Sequence, residues 1–589
     1  MTWHRTLSGK IVILLTLVFA FTSYDKVSKV SSGEKPCLCA YDGFGYYAYL
    51  PQMYEHGHLK FEQEWMQRKQ DKYCYGTYAY QLEKKNHPNE LNIYHMGMSF
   101  VLLPSYAIAD ISAKIGGYPQ DGFSKPYHIS YHLNALLFIF LGLLYLRKLL
   151  RIFASDKSTL IVLLLIALGT NSYFIFNYQY DLPHLYLFTI NAASLYHFMR
   201  FLKEDRLKSF WFGAILFGVA VCIRPTQLLY GIIPFFLFLQ EFGRTKTFIK
   251  YMGFIGAAVL LCNIPQLLYW KIIGGEWVIL NLHTEDMVLS DPNIYNFLFS
   301  YRKGWLLYTP LFLALPFGYW FLYRKHRTLF WAILSFSLLF IWAMSSWECW
   351  WYANSFGQRV MVDAYPILAI PLVFLIDGIK HRTTAILAGI FALVCLTLNL
   401  FQSEQIRLGI LDGKRMTKEH YWLIWGEMNP ENIHHRFLLI DRGNIKWPER
   451  LSKYDDLPFQ IKTRKVYQHK GKVHLEPETS FSLGKIHLYN TFQTDETLVE
   501  VPLVFTTTDS TQSAALRMEC VSKYNCYSWE GMELSQDRRQ GLDNYDTLRF
   551  NLPNIRHDAD SMQMYILNPG NAQIELKEFK IIATSLIRK

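Results

Sequence analysis

Leu133-Asn-Ala-Leu-Leu-Phe-Ile-Phe-Leu-Gly-Leu-Leu-Tyr-Leu146 is apolar nearly all the way round a helix and is followed at once by Arg147-Lys148-Leu-Leu-Arg151. A helix without a polar stripe has no face to offer water. With its flank from Tyr127 the run reaches the roughly 20 residues needed to cross a hydrocarbon core about 30 Å thick. The cations that close it mark the side on which it ends. The same pattern recurs at Ile11–Phe21, Thr159–Phe176, His184–Met199, Ser209–Ile223, Thr226–Leu239, Tyr251–Trp270, Gly304–Tyr323, Leu329–Ser346, Val360–Ile376 and Thr383–Phe401. The chain therefore reads as a polytopic α-helical membrane protein with about eleven transmembrane helices.

The connections alternate in charge. Eighteen Lys and Arg, among them Arg5, Arg147, Lys148, Arg200, Lys203, Arg244, Lys246, Arg324, Lys325, Lys380 and Arg382, fall on one side, against Arg224, Lys271, Arg302, Lys303 and Arg359 on the other. The cation-rich side is cytoplasmic by the positive-inside bias. Arg5 and Lys10 ahead of the first run resemble a signal peptide, but Ala20-Phe21-Thr22-Ser23 is a poor cleavage site, so this helix is read as retained, amino terminus inside. A crossing by Ile93–Ile111 would turn the eighteen cations outward, so that segment, with His95, Pro104 and Asp110 in it, is expected to be re-entrant or interfacial. Residues 25–127 then form one large outer loop.

The 589 residues average to a mean hydropathy of +0.07, which conceals two materials. Charged side chains make up about 14% of the first 401 residues and about 27% of the remainder. A soluble globular protein, a disordered chain and a nucleic-acid binder are excluded, since the net charge of +11 is spent on topology. Three parts are expected: a membrane domain over 1–401, a membrane-proximal collar over 402–461 carrying Trp422, Trp425 and Trp447, and a domain over 462–589. The last shows short alternating runs, such as Thr497-Leu-Val-Glu-Val501 and Ile574-Glu-Leu-Lys-Glu-Phe-Lys-Ile581, between turn residues. That pattern predicts an all-β sandwich or jelly roll of about eight strands. Cys37, Cys39 and Cys74 share the outer loop, as bridges or as free thiols; no His/Cys cluster follows at zinc spacing.

Charge beside a membrane span is expensive, so polar groups on the outward side mark candidate chemistry. Asp42, in Tyr41-Asp42-Gly43-Phe44-Gly45-Tyr46-Tyr47, sits among aromatics, where partial desolvation would raise its pKa toward that of a usable base. Tyr178-Gln-Tyr-Asp181-Leu-Pro-His184 forms a short outer turn; capping of the next helix by Asp181 accounts for it equally well. Arg224-Pro225-Thr226 splits a long apolar stretch, and its guanidinium suits a phosphate as well as it suits snorkelling. Tyr301-Arg302-Lys303-Gly304 places two cations against the topology bias, facing either phosphate or lipid headgroups. Trp347-Glu348-Cys349-Trp350-Trp351-Tyr352 leads to Gln358-Arg359 and reads either as an aromatic belt or as a saccharide platform, with Glu348 and Gln358 serving hydroxyls. Together they predict one outer cavity, cationic enough for phosphate and aromatic enough for sugar.

The same residues carry a resemblance to the GT-C superfamily of integral-membrane glycosyltransferases, in the bacterial branch similar to protein O-mannosyltransferases and aminoarabinose transferases. It covers roughly residues 10–400: Tyr41-Asp42-Gly with Tyr46-Tyr47, Tyr94-His95-Met-Gly97 with Leu103-Pro104, Pro183-His184, Arg224-Pro-Thr, Lys303-Gly with Tyr308-Thr-Pro, and Ser355-Phe-Gly-Gln-Arg359. His95 departs from the family's usual Pro. The resemblance implies a polyprenyl-phosphate sugar as donor and a glycan, lipid or protein as acceptor, at the outer face of a bacterial cytoplasmic membrane. Asp42 and Asp181 would be catalytic, with Asp42 the base. Arg224, Lys303 and Arg359 would hold the donor phosphate, and Tyr94, His95, His184, Glu348, Trp350, Trp351 and Gln358 would bind sugar or acceptor. No cofactor is implied, and a divalent metal is left open, two or three plausible carboxylates favouring none. A transporter or flippase of lipid-linked glycans is the alternative, though no inverted repeat or mid-span coupling charge supports it. A catalytically silent glycan-binding relative is the other.

Overall fold

The computed structural model describes residues 3–24, 37–74, 79–84, 87–279, 282, 287–347, 349–430, 459–475, 479–487, 497–507, 515–521, 526–533, 543–551, 561–568 and 573–588. Two compact units divide the chain: Met1–Lys414 with Ile424–Ile433, and Arg415–Leu423 with His434–Lys589. The helical unit runs past the boundary drawn at 401 because the helix Arg382–Arg407 continues beyond Phe401 with Gln402 and Gln405 buried. Gln405 Nε2 there donates to the carbonyls of Ile424 at 2.7 Å and Glu427 at 2.9 Å.

Among the described residues, six helices of this unit are long and apolar enough to cross a membrane: Gly97–Gly116, Lys125–Leu150, Lys246–Gly274, Arg327–Ser345, Arg359–Gly378 and Arg382–Arg407. The pair Asp156–Leu168 and Ser172–Tyr178, bent by 58°, makes a seventh. Gly97–Gly116 is not among the eleven expected spans, and five that are do not qualify: His184–Glu204 is long enough but too polar, and the other four are short or broken. Leu7–Thr22 and Leu207–Ile223 have 16 and 17 residues. The apolar stretches at Pro225 and Pro310 open as 3₁₀ turns before continuing as Ile232–Phe242 and Leu315–Lys325, since proline has no amide to donate to the preceding turn.

The helices Leu7–Thr22 and Lys125–Leu150 are antiparallel with matched ends. At one end Ser23 Oγ lies 3.4 Å from His132 Nε2. At the other, Arg147 donates to Ser8 Oγ at 2.7 Å and Thr6 Oγ1 at 2.8 Å, with Asp156 at 3.8 Å. A single crossing between them would make them parallel, so the intervening Gly97–Gly116 helix returns to the end it left despite its length. It lies beside the short helices Tyr41–Tyr47 and Tyr49–His56: Ser99 Oγ donates to the Tyr46 carbonyl at 3.2 Å, and Tyr47 donates its hydroxyl to the Gly122 carbonyl. Leu103, Ile108, Ile111 and Ile115 on its other face are exposed, as on a helix lying in a membrane interface. A Cys37–Cys74 disulfide closes the loop that carries these short helices.

Among its described residues the second unit holds eight strands: β3 (Phe459–Leu475), β4 (Thr479–His487), β5 (Thr497–Thr507), β6 (Ala515–Val521), β7 (Cys526–Glu533), β8 (Asn544–Asn551), β9 (Ser561–Asn568) and β10 (Ile574–Arg588). A separate two-stranded ladder of β1 (Leu82–Glu83) and β2 (Leu91–Asn92) precedes them in the chain. The eight form two antiparallel sheets in the orders β3-β10-β5-β8 and β4-β9-β6-β7. Val499, Val501, Leu503 and Phe505 are all buried while their neighbours are not, which is the period-2 signature of a strand with one face on a core.

Candidate active site

Asp42 stands in the first turn of the Tyr41–Tyr47 helix, after Tyr41 in the left-handed region at φ 51°. Its Oδ1 accepts from the hydroxyls of Tyr94, at 2.8 Å, and Tyr80, and those two hydroxyls lie 3.0 Å apart. Its Oδ2 is ion-paired with Arg359 Nη2. The helix can approach so closely because it is glycine-rich. A Cβ on Gly45 would enter the Tyr94 ring, and one on Gly43 would enter the Asp181 carboxylate. Asp181, from the turn before the His184–Glu204 helix, thereby packs against the short helix that carries Asp42.

The electrostatics correct one expectation. Burial does push the Asp42 carboxyl up, but the Arg359 guanidinium and the two tyrosine hydroxyls outweigh it and hold the group at about 2. Burial and then the Asp42 carboxylate push the Tyr80 phenol well above its ordinary value, against a smaller opposite pull from Arg359. A carboxylate so stabilised is a weaker base than sequence reasoning supposed. Because the folded pKa lies below the unfolded one, the stabilisation is complete above about pH 4 and is lost as pH falls toward 2. Thermal unfolding of the detergent-solubilised protein should show this acid loss, and Asp42→Asn should flatten that part of the profile.

Arg359 is positioned from below. Asn171, buried at the bend between the Asp156–Leu168 and Ser172–Tyr178 helices, donates to the carbonyls of Phe356 and Gln358, both at 3.1 Å, and accepts from the Tyr365 hydroxyl at 2.6 Å. Tyr352 and Ala353, in the loop leading to Arg359, adopt φ of 51° and 50°. With Tyr41 they are three of the four non-glycine left-handed residues among those described. Strained backbone of this kind is held only where surrounding contacts enforce it.

A second buried cluster adjoins the first. His184 Nδ1 donates to Asp363 Oδ1 at 2.8 Å, both side chains being at most 2% exposed. Gln227 Nε2 donates to Asp363 Oδ2 at 3.2 Å, and Arg224 Nη1 lies 3.6 Å from the same oxygen. Asn191 ties the group to the backbone, donating to the Asp363 carbonyl and to Gln227 Oε1, each at 2.9 Å. Tyr46 links the clusters: burial pushes its phenol up to about 12, and the charges of Arg224, Asp42, Arg359 and Asp363 all act on it.

Other residues singled out from sequence are engaged with partners inside the protein. Lys303 was expected to reach phosphate, but it is buried and donates to the hydroxyl of Ser355, at 2.8 Å, and to its carbonyl. Burial, then Arg359, pull its ammonium well below the ordinary lysine value. Trp350 and Trp351 were expected to offer open faces to sugar. Both are buried and edge-on to each other, and Arg302 covers Trp351 at 3.6 Å from its ring centroid. Gln358 is buried and donates to the Trp350 carbonyl at 3.2 Å. His95 packs edge-on against Trp270. Glu348 lies outside the described residues.

Asp363, Tyr80, Asn171 and Gln227 were missed. Asp363 had a signal, an acid at the head of an apolar run where none is free to face lipid. Tyr80 had none, being one tyrosine among many in a loop. Among the described residues, no three His, Cys, Asp or Glu side chains converge on a metal-sized site.

The fold and site together describe a multi-span helical membrane protein whose charged groups gather with aromatic side chains at one end of the bundle. No family model and no curated protein matches the chain. Among solved structures it is similar to the oligosaccharyltransferase AglB from the archaeon Archaeoglobus fulgidus in complex with an inhibitory peptide and a dolichol-phosphate. The identity is 13% and the TM-score 0.43, over 73% of this chain and 59% of that one. The apo form of the Archaeoglobus fulgidus oligosaccharyltransferase gives 13% identity and a TM-score of 0.41 over the same shares. The chain thus spans about three-fifths of the length of these neighbours. Similarity at this level leaves the functional reading to rest on the site's own residues.

Proposed function

We propose that this protein is a glycosyltransferase that moves a sugar from a polyprenyl-phosphate donor to a glycan, lipid or protein acceptor at the outer face of a bacterial cytoplasmic membrane. The carrying observation is the meeting of Asp42 with Arg359, a carboxylate and a guanidinium from segments 317 residues apart, beside a second cation at Arg224. In this reading Arg359 and Arg224 hold the donor phosphate and stabilise the charge that develops as it leaves. Asp42 takes the acceptor proton, and Asp181, His184 and Tyr94 orient hydroxyls. The lipid-linked sugar is a substrate, and no resident cofactor is invoked.

Eleven passes fit this reading, with each short or 3₁₀-opened segment counted as one, which puts the Asp42 end outside and the Arg147 end in the cytoplasm. The strand order supports a jelly roll: numbering the eight strands in sequence, the sheets run 1-8-3-6 and 2-7-4-5.

The test is reconstitution of the purified protein in proteoliposomes with a set of polyprenyl-phosphate sugars and cell-envelope acceptors. Release of lipid phosphate coupled to glycosylated product is the expected result. Translocation of the lipid-linked sugar with no transfer would overturn the enzyme reading in favour of a flippase.

A further inference from the structure

The Arg359 guanidinium is only half used. Its Nη2 is paired with Asp42 Oδ2, whereas its Nε–H is buried and meets no hydrogen-bond acceptor among the described residues. Buried donors are almost always satisfied, so an exception needs a reason. A guanidinium presents five donors in one rigid plane, and it pairs with phosphate through two of them at once. The backbone on either side is held, by Asn171 at Phe356 and Gln358 and by the 3₁₀ turn Arg359–Ala364. Asp42 is held independently, its Oδ1 by Tyr80 and Tyr94. The head of Arg359 can therefore change partner while both anchors stay in place.

Resting on the glycosyltransferase reading, we propose that Arg359 is shared competitively between Asp42 and the donor phosphate, so that charge building on the departing phosphate draws the guanidinium away and frees the base. The acceptor oxygen forms its bond to the anomeric carbon as the bond from that carbon to the phosphate oxygen breaks. The bonding pair leaves on the phosphate, which passes from a monoanionic diester to a monoester. The acceptor proton passes to Asp42 Oδ2, the oxygen that Arg359 vacates. One guanidinium thus couples leaving-group departure to base strength, and Asp42 stays silenced until a phosphate is in place.

Competition makes an unusual prediction: removing the base should strengthen binding of the leaving group. Undecaprenyl phosphate is titrated against the full-length protein in nanodiscs. Asp42→Asn should bind it about tenfold more tightly than the wild type, within the usual range of site-to-site coupling. The gain should vanish in the Arg359→Gln background, where Asp42→Asn changes nothing. Unchanged or weaker binding by a folded Asp42→Asn protein, or a gain that persists without Arg359, overturns the sharing of Arg359. If Asp42→Asn does not fold, Asp42→Ser carries the same expectation. Absence of binding by every form, wild type included, instead removes the donor reading on which the sharing rests.

Discussion

Asp42→Asn is expected to lower sugar transfer about 10²–10⁴-fold, the range for loss of a positioned general base, without unfolding the protein. Asn is nearly the same shape, and its carbonyl oxygen can still accept from Tyr94, now 2.8 Å from Oδ1. What it cannot do is hold a proton or balance Arg359. The measurement is single-turnover transfer in proteoliposomes, with thermal unfolding to confirm the fold. Turnover within about threefold of wild type would remove Asp42 from the chemistry.

Asp363→Ala is expected to be the most destabilising single change in the helical unit. Its carboxylate is 1% exposed and receives His184, Gln227 and Arg224. Removing one partner of a buried charged group strands the others, at about 3–5 kcal/mol. Asp363→Asn keeps an acceptor for Gln227 and should cost clearly less. Thermal unfolding in detergent separates the two; equal, small losses for both would mean that the Arg224 charge is stabilised by other groups.

The helical class was legible because burial in lipid imposes a strong one-dimensional signal: every drawn run, from Ile11 to Phe401, is a helix or a helix pair broken at proline or a tight bend. For Gly97–Gly116 charge parity argues an interfacial course, whereas length and composition alone would make it a span. The β domain was readable from period-2 burial, as at Val499, Val501, Leu503 and Phe505. Span count was less so, because helices of 16 and 17 residues and 3₁₀ openings blur what a crossing is.

The site was only half legible. Asp42, Arg224, His184 and Arg359 could be picked out one by one, because charge is costly near lipid and hence conspicuous in sequence. Their partners could not. Lys303 and Arg359 look alike as outward cations, yet one is committed to Ser355 and the other to Asp42. Trp350 and Trp351 look like a platform, yet Arg302 covers one of them.

By itself, then, the sequence determined the membrane class, the β-rich tail and the identity of most charged groups at the site. These follow from local composition and period, which each segment carries alone. Only the tertiary structure decided who pairs with whom: Asp42 with Arg359, His184 and Arg224 with Asp363, Lys303 with Ser355. Those pairings also set the sign of the Asp42 shift, because a guanidinium 317 residues away and the hydroxyls of Tyr80 and Tyr94 together outweigh the local burial that the sequence could foresee.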